Sequence, residues 1–370
     1  MVQNFEFIFG EFAWLGFRIK LNLGNPFKDK KINDLERYQN DLYIGRNLTE
    51  YYQQPKEASA FFLLLLSSLN FVPLGVSNPP PTCGPVFPPD AVAVYAEDIH
   101  FLQFALNLEY LEADYFLFGA LGYGLDQVAQ ELAMGGPPPK GAKKANLDDL
   151  AKRIVEEFGY QEVGHLRVIK STVGGYPRPL LDLSASNFAA IMDNAFGHHL
   201  EPPFDPYANS VNYMLSSYLI PYVGLTGYAG MNPFLNGYKI KRLLGGLLGV
   251  ESGQDAVIRM YLYERSQELV HTYNYTVAEF TTQISKLRNN LGRCGIKDEG
   301  VIVPTNLGAE NLTTSNVLSA MSDSKSYGRT PAEILRIVYG TGNEHVPGGF
   351  LPNGGDGKIA RQLLVPPPYY

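Results

Sequence analysis

The chain has 370 residues, room for one large domain or two ordinary ones, and 45% of them are hydrophobic against 18% charged, a balance that excludes a chain disordered for want of a core. Net charge is −7 with no basic run, which leaves no electrostatic footprint for nucleic acid. Twenty-four tyrosines and 21 phenylalanines against one tryptophan favour helix interfaces in which rings pack while hydroxyls reach polar partners.

Residues 1–57 show no firm pattern. Residues 58–77 form an apolar segment from Ala58 through Phe61-Phe62-Leu63-Leu64-Leu65-Leu66 to Val76, with Lys56 before it and small residues at its end. Ser67, Ser68, Asn70 and Pro73 interrupt it, and a spanning helix needs about 20 apolar residues. Basic flank, apolar run and small residues resemble a secretory leader, although 57 residues precede it. The expectation is therefore that the first 57 residues lie ahead of the natural start and that the mature protein is secreted to the extracellular space (the apoplast in a plant). After such processing no membrane anchor is expected; an uncleaved anchor and an ordinary buried helix are the competing readings. Residues 78–89 are a proline-rich linker. Cys83 and Cys294 form no close thiolate pair for zinc, and either stay separate or form one long-range disulfide in an oxidising compartment. Asn47, Asn274 and Asn311 stand in glycosylation sequons that matter only if the chain is secreted.

Helical periodicity begins at Asp90 and runs to Phe118. Leu102, Ala105, Glu109, Glu112 and Phe116 recur at spacings of three and four, so they share one face. A buried carboxylate needs a partner or a metal, which makes two acids on an apolar stripe informative. Gly135-Gly136-Pro137-Pro138-Pro139 breaks the chain. A second helix is expected from Asn146, as its cap, to Thr172, with Asp148 and Asp149 at its positive end. Its inner line is Ile154, Phe158, Glu162, His165 and Ile169. A third apolar helix is expected over Ser210–Met231, kinked at Pro221, and a fourth over Gly237–Glu268 with Leu244, Leu247, Glu251, Gln254, Ile258 and Tyr261 inward. Thr276-x-x-Glu279 is a capping box that opens a short fifth helix. No alternation suggests a sheet. Residues 90–292 thus read as an all-α bundle, and residues 293–370 as a Gly/Pro-rich C-terminal extension, either a packed loop or a flexible one.

One Glu-x-x-His and further inward acids on separate helices match the design of a bundle-core metal site, in which helical spacing of three puts Glu and His on the same ion. At these residues the chain resembles the ferritin-like superfamily, and more closely its plant desiccation-related proteins. Phe104–Ala113, Gln161-Glu162-Val163-Gly164-His165 and the tail Val338–Phe350 carry the likeness, which covers about residues 90–362. It implies a ferritin-like four-helix bundle with a short extra helix, and a secreted, stress-associated protein. It also implies metal ligands at Glu109, Glu162, His165 and Glu251, with Glu112, Gln254 and Tyr222 as second choices.

Two positions depart from the family pattern. Gln254 stands where the fourth helix should offer histidine, and residues 206–250 contain no Asp or Glu, so the third helix lacks its carboxylate. Two expectations follow. One is a structural or protective bundle with a degenerate centre, not an enzyme. The other is a protein that binds a single manganese or iron ion, or a weak oxidoreductase. Neither catalytic residues nor a partner can be named from the sequence. Three further features carry bland readings. Glu109 and Glu112 could pair with Arg167, Lys170 or tyrosine hydroxyls. Glu268-x-x-His271 lies beside a helix boundary, and His198-His199 lies in a proline-bounded loop.

Overall fold

The computed structural model describes residues 93–365. The leader-like segment 58–77, the linker 78–89, Cys83 with its suggested pairing and the Asn47 sequon lie outside the described residues; Cys294 is exposed. The main helices are α1 (Ala96–Leu121), α2 (Asp149–Val173), α3 (Ala185–Phe196), α4 (Ser210–Ser217), α5 (Pro221–Met231), α6 (Tyr238–Glu264), α7 (Val277–Gly292), α8 (Pro331–Val338) and α9 (Lys358–Leu364). Among the described residues the only strand-like pairings are isolated bridges, and no helix is long and apolar enough to cross a membrane.

The bundle is built around α1, which is apolar on almost every side and is buried along most of its length. Such a helix must be covered all round. α2 lies along it, α5 crosses another face, and α6 packs on α5. The polar residues that α1 buries are mostly tied down locally. Asp98 accepts hydrogen bonds from the backbone of Asn236 and Gly237 and so holds the turn that leads into α6. Asn107 holds the backbone of Asp356 in the tail. Asp114 pairs with the buried guanidinium of Arg178 at 2.8 Å and accepts from Leu125 N.

The helix ends differ from the sequence reading for identifiable reasons. The cap of α2 is Asp148, whose carboxylate accepts from Leu150 N and Ala151 N; Asn146 instead donates to Ala208 O. The third helix is split at Pro221, whose ring cannot continue an α-helix through its own first turn. α6 stops at Glu264, because residues 265–268 turn back, with Glu268 N donating to Arg265 O at 2.8 Å. The capping box at Thr276 and Glu279 opens α7.

Sequence periodicity missed α3, where only Phe188 and Met192 are buried. The C-terminal segment is packed rather than flexible. A second capping box, Thr330 with Glu333, opens α8, which packs on α7, while α9 packs on α1. Tyr339 and Phe350 of the tail motif are buried in the core.

Candidate metal centre

Glu109 on α1, Glu162 and His165 on α2 and Glu251 on α6 come together in the middle of the bundle. Each offers a ligand atom, and these atoms lie within 4.8 Å of one another. All three carboxylates are buried and His165 is 7% exposed. His165 Nδ1 lies 3.1 Å from Glu109 Oε2, 3.1 Å from Glu162 Oε2 and 3.5 Å from Glu251 Oε1. The local cause is helical spacing: Glu162 and His165 are one turn apart on the face that α2 turns toward α1.

Glu112 completes the group. It is one turn on from Glu109 and fully buried. Its Oε1 and Glu251 Oε2 flank one point beside α5, lying 3.4 and 3.5 Å from where a side chain on Gly224 would begin. The pairings suggested for the two α1 acids with basic residues do not form. Arg167 pairs with Glu131 at the surface, and Lys170 bonds to Leu132 O and lies over the Tyr110 ring. A tyrosine does reach Glu109: it is Tyr228, donating to Oε1 from α5.

The second-choice positions divide. Gln254 is buried beside the group, and its Nε2 donates to Glu162 Oε1 at 2.6 Å. Tyr222 is elsewhere, which corrects that assignment. Its ring sits among the guanidiniums of Arg259, Arg288 and Arg329, and its hydroxyl donates to Lys297 O. The break at residues 218–220 resets the helical phase, so that Gly224 and Tyr228 rather than Tyr222 face α1. Glu268 and His271 are exposed on the turn after α6. His198 and His199 are exposed, and His199 bonds to Asp193.

The electrostatics are those of an unbalanced anionic pocket. Burial pushes the Glu112 and Glu162 carboxyls well above the usual range, and neighbouring carboxylates push the same way. Burial raises Glu251 to about 7. Burial would raise Glu109 too, but the His165 charge and the hydrogen bonds from His165 and Tyr228 hold it below its ordinary value. Burial alone would depress His165, and the Glu109 and Glu162 carboxylates outweigh it and raise it. Within the protein, both oxygens of Glu112 and both of Glu251 lack a hydrogen-bond partner, as does Gln254 Oε1. Buried polar atoms are normally satisfied. The unpartnered Glu112 and Glu251 oxygens that meet beside Gly224 fit a bound cation: the group has the donors, the charge and the seclusion to hold a metal ion.

Residues 97–264 match the model of the ferritin-like domain family. The chain is 66% identical over 285 residues to the ferritin-like catalase Nec2 of Nesocodon mauritianus, covering 77% of this chain and 92% of that protein. It is 47% identical over 310 residues to the desiccation-related protein PCC13-62 of Craterostigma plantagineum, covering 83% and 95%. The chain belongs to the desiccation-related, ferritin-like family. No solved structure matches it. Within this ferritin-like bundle, sequence reasoning missed Tyr228 and Gly224 because α5 was read as a continuation of α4. Proline at 221 was the signal that the phase restarts there.

Proposed function

We propose that this protein is a metal-dependent, ferritin-like catalase, converting two hydrogen peroxide molecules into two waters and dioxygen. The observation that carries the reading is the set of orphaned oxygens on Glu112, Glu251 and Gln254. A self-satisfied polar relict would have bonded them to one another or to the chain. The name of the 66%-identical relative, a ferritin-like catalase, supports the same chemistry.

Glu109, Glu112, Glu162, Glu251 and His165 would hold manganese or iron, the divalent metals that suit carboxylate oxygen with imidazole. Four carboxylates balance two divalent ions, with Glu112 supplying the charge that the third helix lacks. The metal would supply the two-electron redox chemistry; the balanced reaction needs no outside reductant. The protein's part is to orient and seclude. Gln254 fixes Glu162 through Nε2, and Tyr228 holds Glu109 and keeps a proton on its hydroxyl, since burial and the Glu109 charge both oppose its loss. Secretion, expected from the leader-like segment at residues 58–77, would place the activity outside the cell and is retained as part of the proposal.

A second reading, a protective structural bundle, is favoured by the missing histidine at Gln254 and by the name of the desiccation-related relative. The two separate in one experiment. The full chain is purified without chelators, its metal is quantified, and oxygen release from hydrogen peroxide is followed. Bound manganese or iron with one dioxygen per two peroxides, both lost in His165→Ala, is expected. A metal-free chain that is inert to peroxide even after loading, with His165→Ala changing stability alone, would overturn the catalytic reading in favour of the structural one.

A further inference from the structure

Where the bundle's third helix lacks a carboxylate, α5 presents Gly224, Gly227 and Tyr228. With Phe104, Leu108 and Glu109 of α1 they enclose a narrow cavity that Ile334 of α8 closes. Its volume for the centre of a water-sized molecule is about 10 Å³, about the least that holds one water. Its walls are apolar apart from Glu109 and the Tyr228 hydroxyl. At its floor stands Gly224, against which the buried, unpartnered Glu112 and Glu251 oxygens lie. Any larger side chain at 224 would fill the space between the cavity and those oxygens.

The closure is a single side chain on a fixed element. Ile334 is 1% exposed, and its Cδ1 lies 2.7 Å from where a Gly227 side chain would begin. The missing Cβ of Gly227 is the notch that Ile334 occupies. α8 is pinned by its capping box and by Arg329, whose N–H donates to Thr226 O at 2.8 Å and whose Nη1 donates to Thr226 Oγ1 at 3.1 Å.

We propose that this glycine-floored notch is the entry path to the centre and that Ile334 is its size filter, passing hydrogen peroxide and rejecting alkyl hydroperoxides. The proposal rests on the metal-centre reading for its substrate, but the path is a property of the protein alone. An almost wholly apolar cavity with room for about one water favours a small neutral species over an anion, which would leave its hydration shell behind without replacement. A branched alkyl group exceeds that volume. The competing route is the seam between α2 and α6, where His165 keeps its 7% exposure.

Two measurements test it on the full chain. In the first, Gly224→Cys is made in a Cys83→Ser, Cys294→Ser background without metal. The rate at which methyl and benzyl methanethiosulfonate modify the introduced thiol is then compared with and without Ile334→Ala, or with Ile334→Val if the alanine variant fails to fold. The methyl reagent is expected to react slowly and the benzyl reagent hardly at all. Shortening Ile334 should speed the first at least tenfold and admit the second. In the second, the metal-loaded chain with native glycine at 224 is followed by turnover of hydrogen peroxide and tert-butyl hydroperoxide, both neutral. Only the shortened variant should use the bulky peroxide. Thiol labelling that ignores Ile334 in folded variants would overturn the filter and point to the α2–α6 seam. A chain that loads metal but labels without regard to Ile334 sinks the filter alone. Gated labelling in a chain that never holds metal supports the path and sinks the metal reading.

Discussion

Glu112 is the residue on which the two functional readings divide. The other buried acids of α1 have protein partners: Asp98 has two backbone N–H groups, Asp114 has Arg178, and Glu109 has His165 and Tyr228. Glu112 is equally buried and has none. A carboxyl in that position costs stability in the metal-free chain, because its desolvation is not repaid by hydrogen bonds. Glu112→Leu, close in volume, is therefore expected to stabilise the metal-free protein by about 1–3 kcal/mol while lowering its metal capacity. Chemical denaturation with and without metal checks both halves. A relict held together by this acid would lose stability instead, and its metal content would not change. The opposed signs are what make the variant useful: only a residue kept for a ligand is harmful in the ligand's absence.

At the scale of elements, legibility followed how much chemistry each helix carries on one face. The inner face of α2, though not its cap, could be read because Glu162 and His165 interrupt an apolar stripe at helical spacing, and that of α6, though not its end, because Glu251 does the same. α1 gave both acids on one stripe with Glu109 ahead of Glu112, and Glu109 is the one whose ligand atom lies with those of Glu162, His165 and Glu251; what the stripe could not give is that Glu112 has no partner within the protein. Reading one helix through Pro221 misphases α5 and names Tyr222, whereas it is Tyr228 that reaches Glu109. The tail motif was recognisable as a family feature, but its fold was not. Thr330-Pro331-Ala332-Glu333 is the same capping signature as Thr276 to Glu279, and it opens α8 in the same way. Arg336 on that helix donates through Nε and Nη2 to both oxygens of Glu344 at 2.6 and 2.7 Å, tying α8 to the loop that follows. Those hydrogen bonds hold the Glu344 carboxyl down at about 2. A folded-state value below the unfolded one means that the pairing stabilises the fold above the ordinary carboxylate range and is lost as pH falls toward 2. The pair is largely solvent-screened, so the effect is expected to be local. Amide protection over residues 331–345, taken relative to the intrinsic exchange rate at each pH, should fall between pH 4.5 and 2.5 in the native chain, and Glu344→Gln should remove that fall. Identical profiles in the two chains would show that the pairing contributes nothing.

Across the whole molecule, the metal-site acids have a counterpart in a second buried ionic centre that binds the tail to the bundle. Asp298 is fully buried. It accepts from Arg288 Nη2 at 3.1 Å and contacts Arg288 Nε as well, while the guanidiniums of Arg259 and Arg329 lie 3.8 and 3.7 Å away. Arg259 comes from α6, Arg288 from α7 and Arg329 from the approach to α8, so one carboxylate ties three segments together. Tyr222 is packed among the same three guanidiniums at 4.7 to 5.5 Å, which explains why this tyrosine is unavailable to the metal group. The two centres have opposite needs. The first carries surplus negative charge and calls for a cation from outside the chain. The second is paired internally and carries no surplus of negative charge: Asp298 and Asp255, which takes Arg259 at 2.8 Å, face three guanidiniums. Asp298→Ala would leave Arg288 and Arg329 buried without that carboxylate, and breaking a buried pair from one side costs about 3–5 kcal/mol. Added metal should not recover the loss, because the second centre lies outside the set of metal ligands. The expected outcome is a drop of that size in denaturant-unfolding stability, equal with and without metal, and a lower denaturation midpoint for the tail and α7 together in fragment-resolved exchange. A loss that metal restores would mean that the two centres are one coupled network, and a loss below 1 kcal/mol would mean that Asp298 is not the tie between the tail and the bundle.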